Sequence, residues 1–321
     1  MTARSHHYAG RFRNRYGGGA PGPSFGFIKF ILKLAQVSRS GGALPLLKPE
    51  VESLRNNRSE STLTWIGHST FLLQHAGINL ITDPHLTQRA SPFRHAGPAR
   101  FTPPALEFSE LPKLDIALVS HDHYDHLDEQ TVTRLAREHP HLVFVVPRGL
   151  KAWFKRRHIH KVVELDLWQH SPRIGGVTVH CVPVQHFSGR GPHDRNATLW
   201  CGYVVEIDGR KIFFAGDTGY SRDFTDIHAK HGEMDLSLLP IGAYEPREFM
   251  AHVHVDPAEA VRIHQDLHSR QSVAMHWGVF RLTLEPLDEP PVKLAQALAA
   301  QGIAAEKFRV MQIGETLKDF L

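Results

Sequence analysis

Between residues 61 and 278, short apolar runs of strand length alternate with stretches of helical periodicity. "STLTWIG" (61–67), "STFLLQH" (69–75) and "INLITDP" (78–84) read as three strands joined by tight turns. "LDIALVSH" (114–121) and "HLVFVVP" (141–147) are continuous apolar runs of the kind buried strands carry. "GVTVHCVPVQH" (176–186) alternates, and "LWCGYVVEIDGRKIFFAGD" (199–217) reads as a hairpin turning at Asp208–Gly209. "MDLSLLPIG" (234–242) and "SVAMHWG" (272–278) complete the strands. Helical spacing marks 129–138, 222–231, 257–268 and 291–301. Two strand-rich halves, each with its own helices, predict an α/β fold in which sheet packs on sheet with helices outside. Residues 60–321 read as one domain, without a detectable internal repeat.

The first 59 residues differ. Residues 1–24 are rich in Gly, Arg and Pro and read as a mobile arm. In "SFGFIKFILKLAQV" (24–37), Phe25, Phe27, Ile28, Phe30, Ile31, Leu32 and Leu34 are apolar, while Lys29, Lys33 and Gln36 share one helical face. Such a helix suits a lipid interface, docking on the domain body, or contact with a second copy of the chain. Residues 1–58 carry ten Lys and Arg against two acidic residues; the net charge of the whole is +4, so the remainder is acidic. A basic segment on an acidic body points to an anionic partner, either lipid headgroups or nucleic acid. No apolar run is long enough to span a bilayer, and a secretory signal is not expected, since the opening residues lack an apolar core followed by a small-residue cleavage site. Cys181 and Cys201 are too few for a disulfide framework and read as small core residues of a reducing compartment. The expectation is a cytoplasmic protein, peripheral to a membrane if the 24–37 segment meets lipid.

The histidine content changes the picture. There are 24, and "VSHDHYDHLDEQ" (119–130) sets His121, Asp122, His123, Asp125 and His126 within six positions, just after a buried strand. His121 and His123 can point the same way; Asp125 and His126, a turn later, can face the other side of one cavity. Four such ligands exceed the needs of one tetrahedral ion and suit two ions sharing a loop. Imidazole and carboxylate together suit zinc, iron or manganese.

"HDHYDH" matches the His-x-His-x-Asp-His signature, and the chain resembles the metallo-β-lactamase superfamily of binuclear hydrolases. That resemblance implies an αββα four-layer sandwich with metals at one edge. It also implies a later His, a bridging Asp and a last His at strand ends. His186 in "VPVQHF", Asp217 in "IFFAGDTGY" and His276 in "SVAMHWG" fill these places in order. The implied ligands of two zinc ions are then His121, His123 and His186 for one, Asp125, His126 and His276 for the other, with Asp217 between. Asp83 in "LITDPH" is expected to hydrogen-bond the free nitrogen of a ligating His. His68 in "WIGHST" reads either as approaching the site or as a turn residue. His264 and His268 have the spacing of a helical zinc pair but lack its intervening Glu, and read as partly exposed.

"TWIGHSTFLL", "LITDP", "SHDHYDHLD", "FFAGDTGY" and "HVHVDPAEAVRIH…SVAMHWGVF" together resemble the N-acyl-phosphatidylethanolamine-hydrolysing phospholipase D family. This implies a phosphodiesterase that attacks the phosphorus through a metal-bridging hydroxide and releases N-acylethanolamine and phosphatidic acid. It adds His254 beside the metals as a catalytic residue, to protonate the leaving alkoxide or hold the phosphate, with His252 as a decoy and a helix-cap role as its rival reading. The alternative is a zinc hydrolase of a soluble phosphorylated or lactone metabolite. A nucleic-acid partner is not expected, because no aromatic stacking platform is interleaved with the basic residues.

Overall fold

A computed structural model describes residues 5–17, 25–37, 42–318 and 320. Along the chain it forms β1 (His7–Tyr8), β2 (Arg11–Phe12), α1 (Phe25–Val37), α2 (Val51–Asn56), β3 (Thr62–Gly67), β4 (Thr70–His75), β5 (Ile78–Thr82) and β6 (Ile116–Leu118). There follow α3 (Glu129–Glu138), β7 (Val143–Pro147), α4 (Lys151–Lys155), β8 (Val162–Leu165), β9 (Thr178–Val182), β10 (Gly202–Ile207), β11 (Arg210–Phe214) and α5 (Asp223–His231). The chain ends with β12 (Leu236–Pro240), α6 (Arg247–Met250), α7 (Pro257–Asp266), β13 (Gln271–Met275), α8 (Glu289–Ala300), β14 (Phe308–Arg309) and β15 (Thr316–Lys318).

Among the described residues, besides the two-stranded β1–β2 ribbon, two large sheets result, ordered β15-β3-β4-β5-β6-β7-β8 and β14-β13-β12-β11-β10-β9. The period of two along each strand divides the core. Leu63, Trp65, Phe71, Leu73, Ile116 and Leu118 face the second sheet, whereas Ile66, Leu72, Ile81, Ala117 and Val119 face Leu54, Val132, Leu135 and Phe154 of α2, α3 and α4. On the other side α5, α7 and α8 bring Phe224, Ile227, Val261, Ile263 and Leu294 onto the second sheet. This is the αββα sandwich. The β10–β11 hairpin turns at Asp208 and Gly209, both with positive φ (48° and 73°), as the sequence predicts. Cys181 and Cys201 are buried and free.

Residues 5–17, part of the stretch read as a mobile arm, are packed on the domain. Among them, Phe12 is buried, its amide donates to the Asn196 carbonyl, and Asn14 exchanges two hydrogen bonds with the His186 backbone. Arg15 pairs with Asp223 at 2.7 Å and Asp226 at 3.0 Å, so a charge read as seeking an anionic partner is neutralised by α5. Residues 1–4 and 18–24 lie outside the described residues, as do the side chains of Phe25, Phe27, Ile28 and Ile31. Within α1, Phe30 is buried against Phe249 of α6, while Leu32 is 62% exposed. Among the described residues no helix is long and apolar enough to cross a membrane.

Candidate metal centre

The site lies where strands of both sheets end. β6 stops at Leu118, and the next residues turn into a loop held from behind by Asp83, whose carboxylate accepts from the Ser120 amide (2.7 Å) and hydroxyl (2.6 Å). Arg190 clamps the far side of that loop, donating to the carbonyls of Asp122 (2.6 Å) and Leu127 (2.8 Å). The loop therefore presents its side chains from a fixed backbone.

Two groups of ligand-type atoms converge there. His121, His123, His186 and Asp217 form one; Asp125, His126, His276 and His68 form the other. In the first, His123 Nδ1 stands 2.9 Å from His121 Nε2 and 3.2 Å from His186 Nε2. In the second, Asp125 Oδ2 stands 3.0, 3.3 and 3.4 Å from Nε2 of His68, His126 and His276. Asp217 reaches both: Oδ2 is 3.1 Å from His126 and 3.7 Å from His186, and Oδ1 is 3.1 Å from His276. All seven expected residues are brought together.

Each is delivered by a local device. β9 stops at Val182, earlier than its alternation predicts, because "VPV" puts Pro183 next and proline cannot donate to a ladder. His186 is instead set by a bridge between Gln185 and Gly219 and by its own Nδ1, 2.8 Å from the Val253 carbonyl. Asp217 follows Gly216 (φ 59°), where a Cβ would fall 2.5 Å from that of Ser120, so only glycine lets the two strand ends meet. His276 follows β13 at φ 61°. Asp122 does not join: its carboxylate accepts from the Gly189 amide and the Thr198 hydroxyl, tying two loops together.

Burial sets the electrostatics. It drives His121 well below its ordinary value, His123 to about 4 and His186 to about 3, so this triad is neutral and offers lone pairs. Burial opposes charge on His126 and His276 too, but Asp217 outweighs it, helped by Asp125, raising His276 to about 9 and His126 well above the ordinary imidazole value. Burial alone would raise Asp125 and Asp217; His126 in particular holds both well below the carboxylate range.

The donor set fits divalent metal ions. His126 Nε2 and His276 Nε2 are buried 3.1 to 3.4 Å from carboxylate oxygens of Asp125 and Asp217, yet neither they nor Asp217 Oδ1 have a hydrogen-bond partner. Orphaned buried polar atoms are costly, and a shared cation satisfies them. Asp83 Oδ2 lies 2.6 Å from His126 Nδ1, the expected support for a ligating imidazole.

His68 proves closer than its sequence reading required. It adopts φ 56° after β3, its ring lies tilted against that of His276 with centroids 4.1 Å apart, and it contacts Asp125. His254 also enters: its Nδ1 is 4.0 Å from Asp217 Oδ2 and lacks a hydrogen-bond partner, while its carbonyl accepts from Arg247. It is not a helix cap; Asp256 caps α7. His252 is exposed, its carbonyl accepting from Gln185. His264 departs from expectation, being buried with its Nδ1 2.8 Å from the Ser272 hydroxyl, while His268 is exposed. Arg190 and its clamp escaped the sequence reading, since nothing local marks it.

Residues 78–277 match the Beta-lactamase superfamily domain. The chain belongs to the β-lactamase superfamily. It is a metal-dependent hydrolase of that superfamily, as its named relatives are. It is 40% identical over 270 residues to N-acyl-phosphatidylethanolamine-hydrolyzing phospholipase D 1 of Caenorhabditis elegans, covering 80% of this chain and 76% of that one. A mitochondrial N-acyl-phosphatidylethanolamine-hydrolyzing phospholipase D of Saccharomyces cerevisiae is 34% identical, over 79% of this chain and 55% of its own. The metallo hydrolase Igni18 of Ignicoccus hospitalis shares the superfamily fold with a TM-score of 0.61 at 21% identity, covering 81% of this chain and 98% of that one.

Proposed function

We propose that this β-lactamase-superfamily chain is a binuclear zinc phosphodiesterase of the phospholipase D type, cleaving N-acyl-phosphatidylethanolamine or a related phospholipid. The observation that carries the reading is 40% identity, over most of both chains, to a relative named for that reaction. His121, His123 and His186 would hold one ion, Asp125, His126 and His276 the other, and Asp217 both. When bound, two such ions lower the pKa of a water towards neutrality and offset charge on the phosphoryl oxygens.

The chain's own residues do the rest. Asp217, anchored by the Gly216 turn, fixes the spacing of the two halves of the site. His254 is pushed down to about 3 by burial, so it meets substrate as a neutral imidazole; its free Nδ1 then suits holding a phosphoryl oxygen better than delivering a proton. Water adds to phosphorus, the bond from phosphorus to the ethanolamine oxygen breaks, and that oxygen takes up the proton the water gives up. The products are N-acylethanolamine and phosphatidic acid.

Access for a lipid has support in α1. Phe30 packs on Phe249, four residues before Val253, whose carbonyl holds His186, while Leu32 stays exposed. α1 would rest on the bilayer surface and feed substrate to the strand ends, a peripheral contact rather than a span.

The test is release of N-acylethanolamine from mixed micelles by zinc-loaded protein. Product is expected from wild type, with kcat lowered at least tenfold in His254→Asn at unchanged metal content. No product from any N-acylated phospholipid, with turnover of a soluble phosphodiester or lactone instead, would replace this reading with its rival.

A further inference from the structure

A second set of ligand-type side chains converges away from the strand ends. β10 starts at Gly202 beside Cys201, whose amide donates to the Ser120 carbonyl next to His121; Glu206 lies four residues further along, towards the opposite end. The antiparallel register sets Val204 opposite His180 and Glu206 opposite Thr178, so His180 and Glu206 are diagonal neighbours on one face of the second sheet. His231, the last residue of α5, closes over the same face, its ring 4.9 Å from that of His180.

The contacts are unfinished. His180 Nε2 stands 3.3 Å from Glu206 Oε2 without hydrogen-bond geometry. His231 is 9% exposed, and its buried Nε2 has no hydrogen-bond partner either. One ligand atom from each of the three residues falls within 4.8 Å of the other two. Two sheltered imidazole nitrogens and one carboxylate thus lie within reach of a single shared ion.

We propose that His180, Glu206 and His231 form a peripheral site for a divalent transition-metal ion of the zinc class, which ties the end of α5 to the β9–β10 pair. Two His and one carboxylate are a zinc donor set, and a tetrahedral ion bound at about 2.1 Å spaces its ligands roughly 3.4 Å apart. The His180–Glu206 separation already matches that spacing, and the His231 ring approaches from a helix end. Burial and the neighbouring His180 lower His231 to about 4, which leaves it neutral and able to coordinate at pH 7. Lys211, which donates to the His231 carbonyl, and Lys230 add positive charge nearby; the Glu206 carboxylate offsets it. With three protein ligands and a water the ion is a staple, and the ends of α5 and the sheet are what it holds.

The experiment compares wild type, Glu206→Gln and His231→Asn as full-length protein, equilibrated with zinc and analysed for bound metal per chain. Wild type is expected to hold one zinc more than either variant, and its Tm to keep rising with zinc after the variants' has levelled off. Glu206 is on the partly open face of a strand, so Glu206→Gln carries the test if His231→Asn folds poorly. Equal zinc content in wild type and Glu206→Gln, with the same zinc dependence of Tm, would overturn the proposal. Because the comparison is a difference, it stands apart from how many ions the strand-end centre binds and from which substrate it takes.

Discussion

Asp83 is fully buried, and its carboxylate bonds backwards, to Ser120 and to His126. Replacing it with Asn keeps an acceptor for Ser120 but removes the charge facing His126 Nδ1. Asp83→Asn is expected to weaken zinc binding 10- to 100-fold in a chelator competition, with the fold intact by circular dichroism. His264 gives a second residue-scale expectation. Burial, with a smaller contribution from Lys307, lowers it to about 4 from an ordinary 6.5. Above pH 6.5 neither folded nor unfolded chain carries its proton; below it the unfolded chain does and the folded one does not, so stability is lost as pH falls to 4. Unfolding free energies of His264→Gln from urea titrations should therefore change less with pH across this window than those of wild type, by about 2 kcal/mol after allowance for partial solvent access. The crowding of His121, His123, Asp125 and His126 in one short loop was legible as a cation site from the residues themselves, whereas His186, Asp217 and His276 were placed through the family resemblance. The burial of His264 was not legible, since a helix position reads alike whether it meets Ser272 of a neighbouring strand or water.

At the scale of elements, the strand ends are where sequence and structure diverge most. Alternation ran on through Pro183 to His186, but the ladder stops where the proline removes a donor, and tertiary bonds from Asn14 and Val253 take over. Gly216 admits no side chain: its φ of 59° and the close approach of Ser120 exclude one. Gly216→Ala is expected to destabilise the protein by about 2 kcal/mol or more and to lower bound metal, as seen by calorimetry and elemental analysis. The N-terminal segment teaches the same lesson from the other side. Its Gly and Arg content reads as mobile, yet Arg15 is spent on the buried Asp223. Arg15→Ala would leave that carboxylate unpaired inside and should cost about 3 kcal/mol in denaturant unfolding.

Over the whole molecule, the alternation of strands and helices announced two sheets with helices outside, and that is the fold. What it did not announce is the return of the chain at β15 to pair with β3, which closes the first sheet with the last ordered strand. Partners about 250 positions apart leave no local pattern. The consequence for function is that loops from both sheets meet at one edge, with His68, Asp125 and His126 supplied by one and His186, Asp217 and His276 by the other. The most direct test is an anomalous difference map, at the zinc edge, of crystals of the zinc-loaded protein. Two peaks are expected at this edge, one among His121, His123 and His186, one among Asp125, His126 and His276, both touching Asp217. A map with no peak there, or with one peak that Asp217 does not touch, would contradict the account.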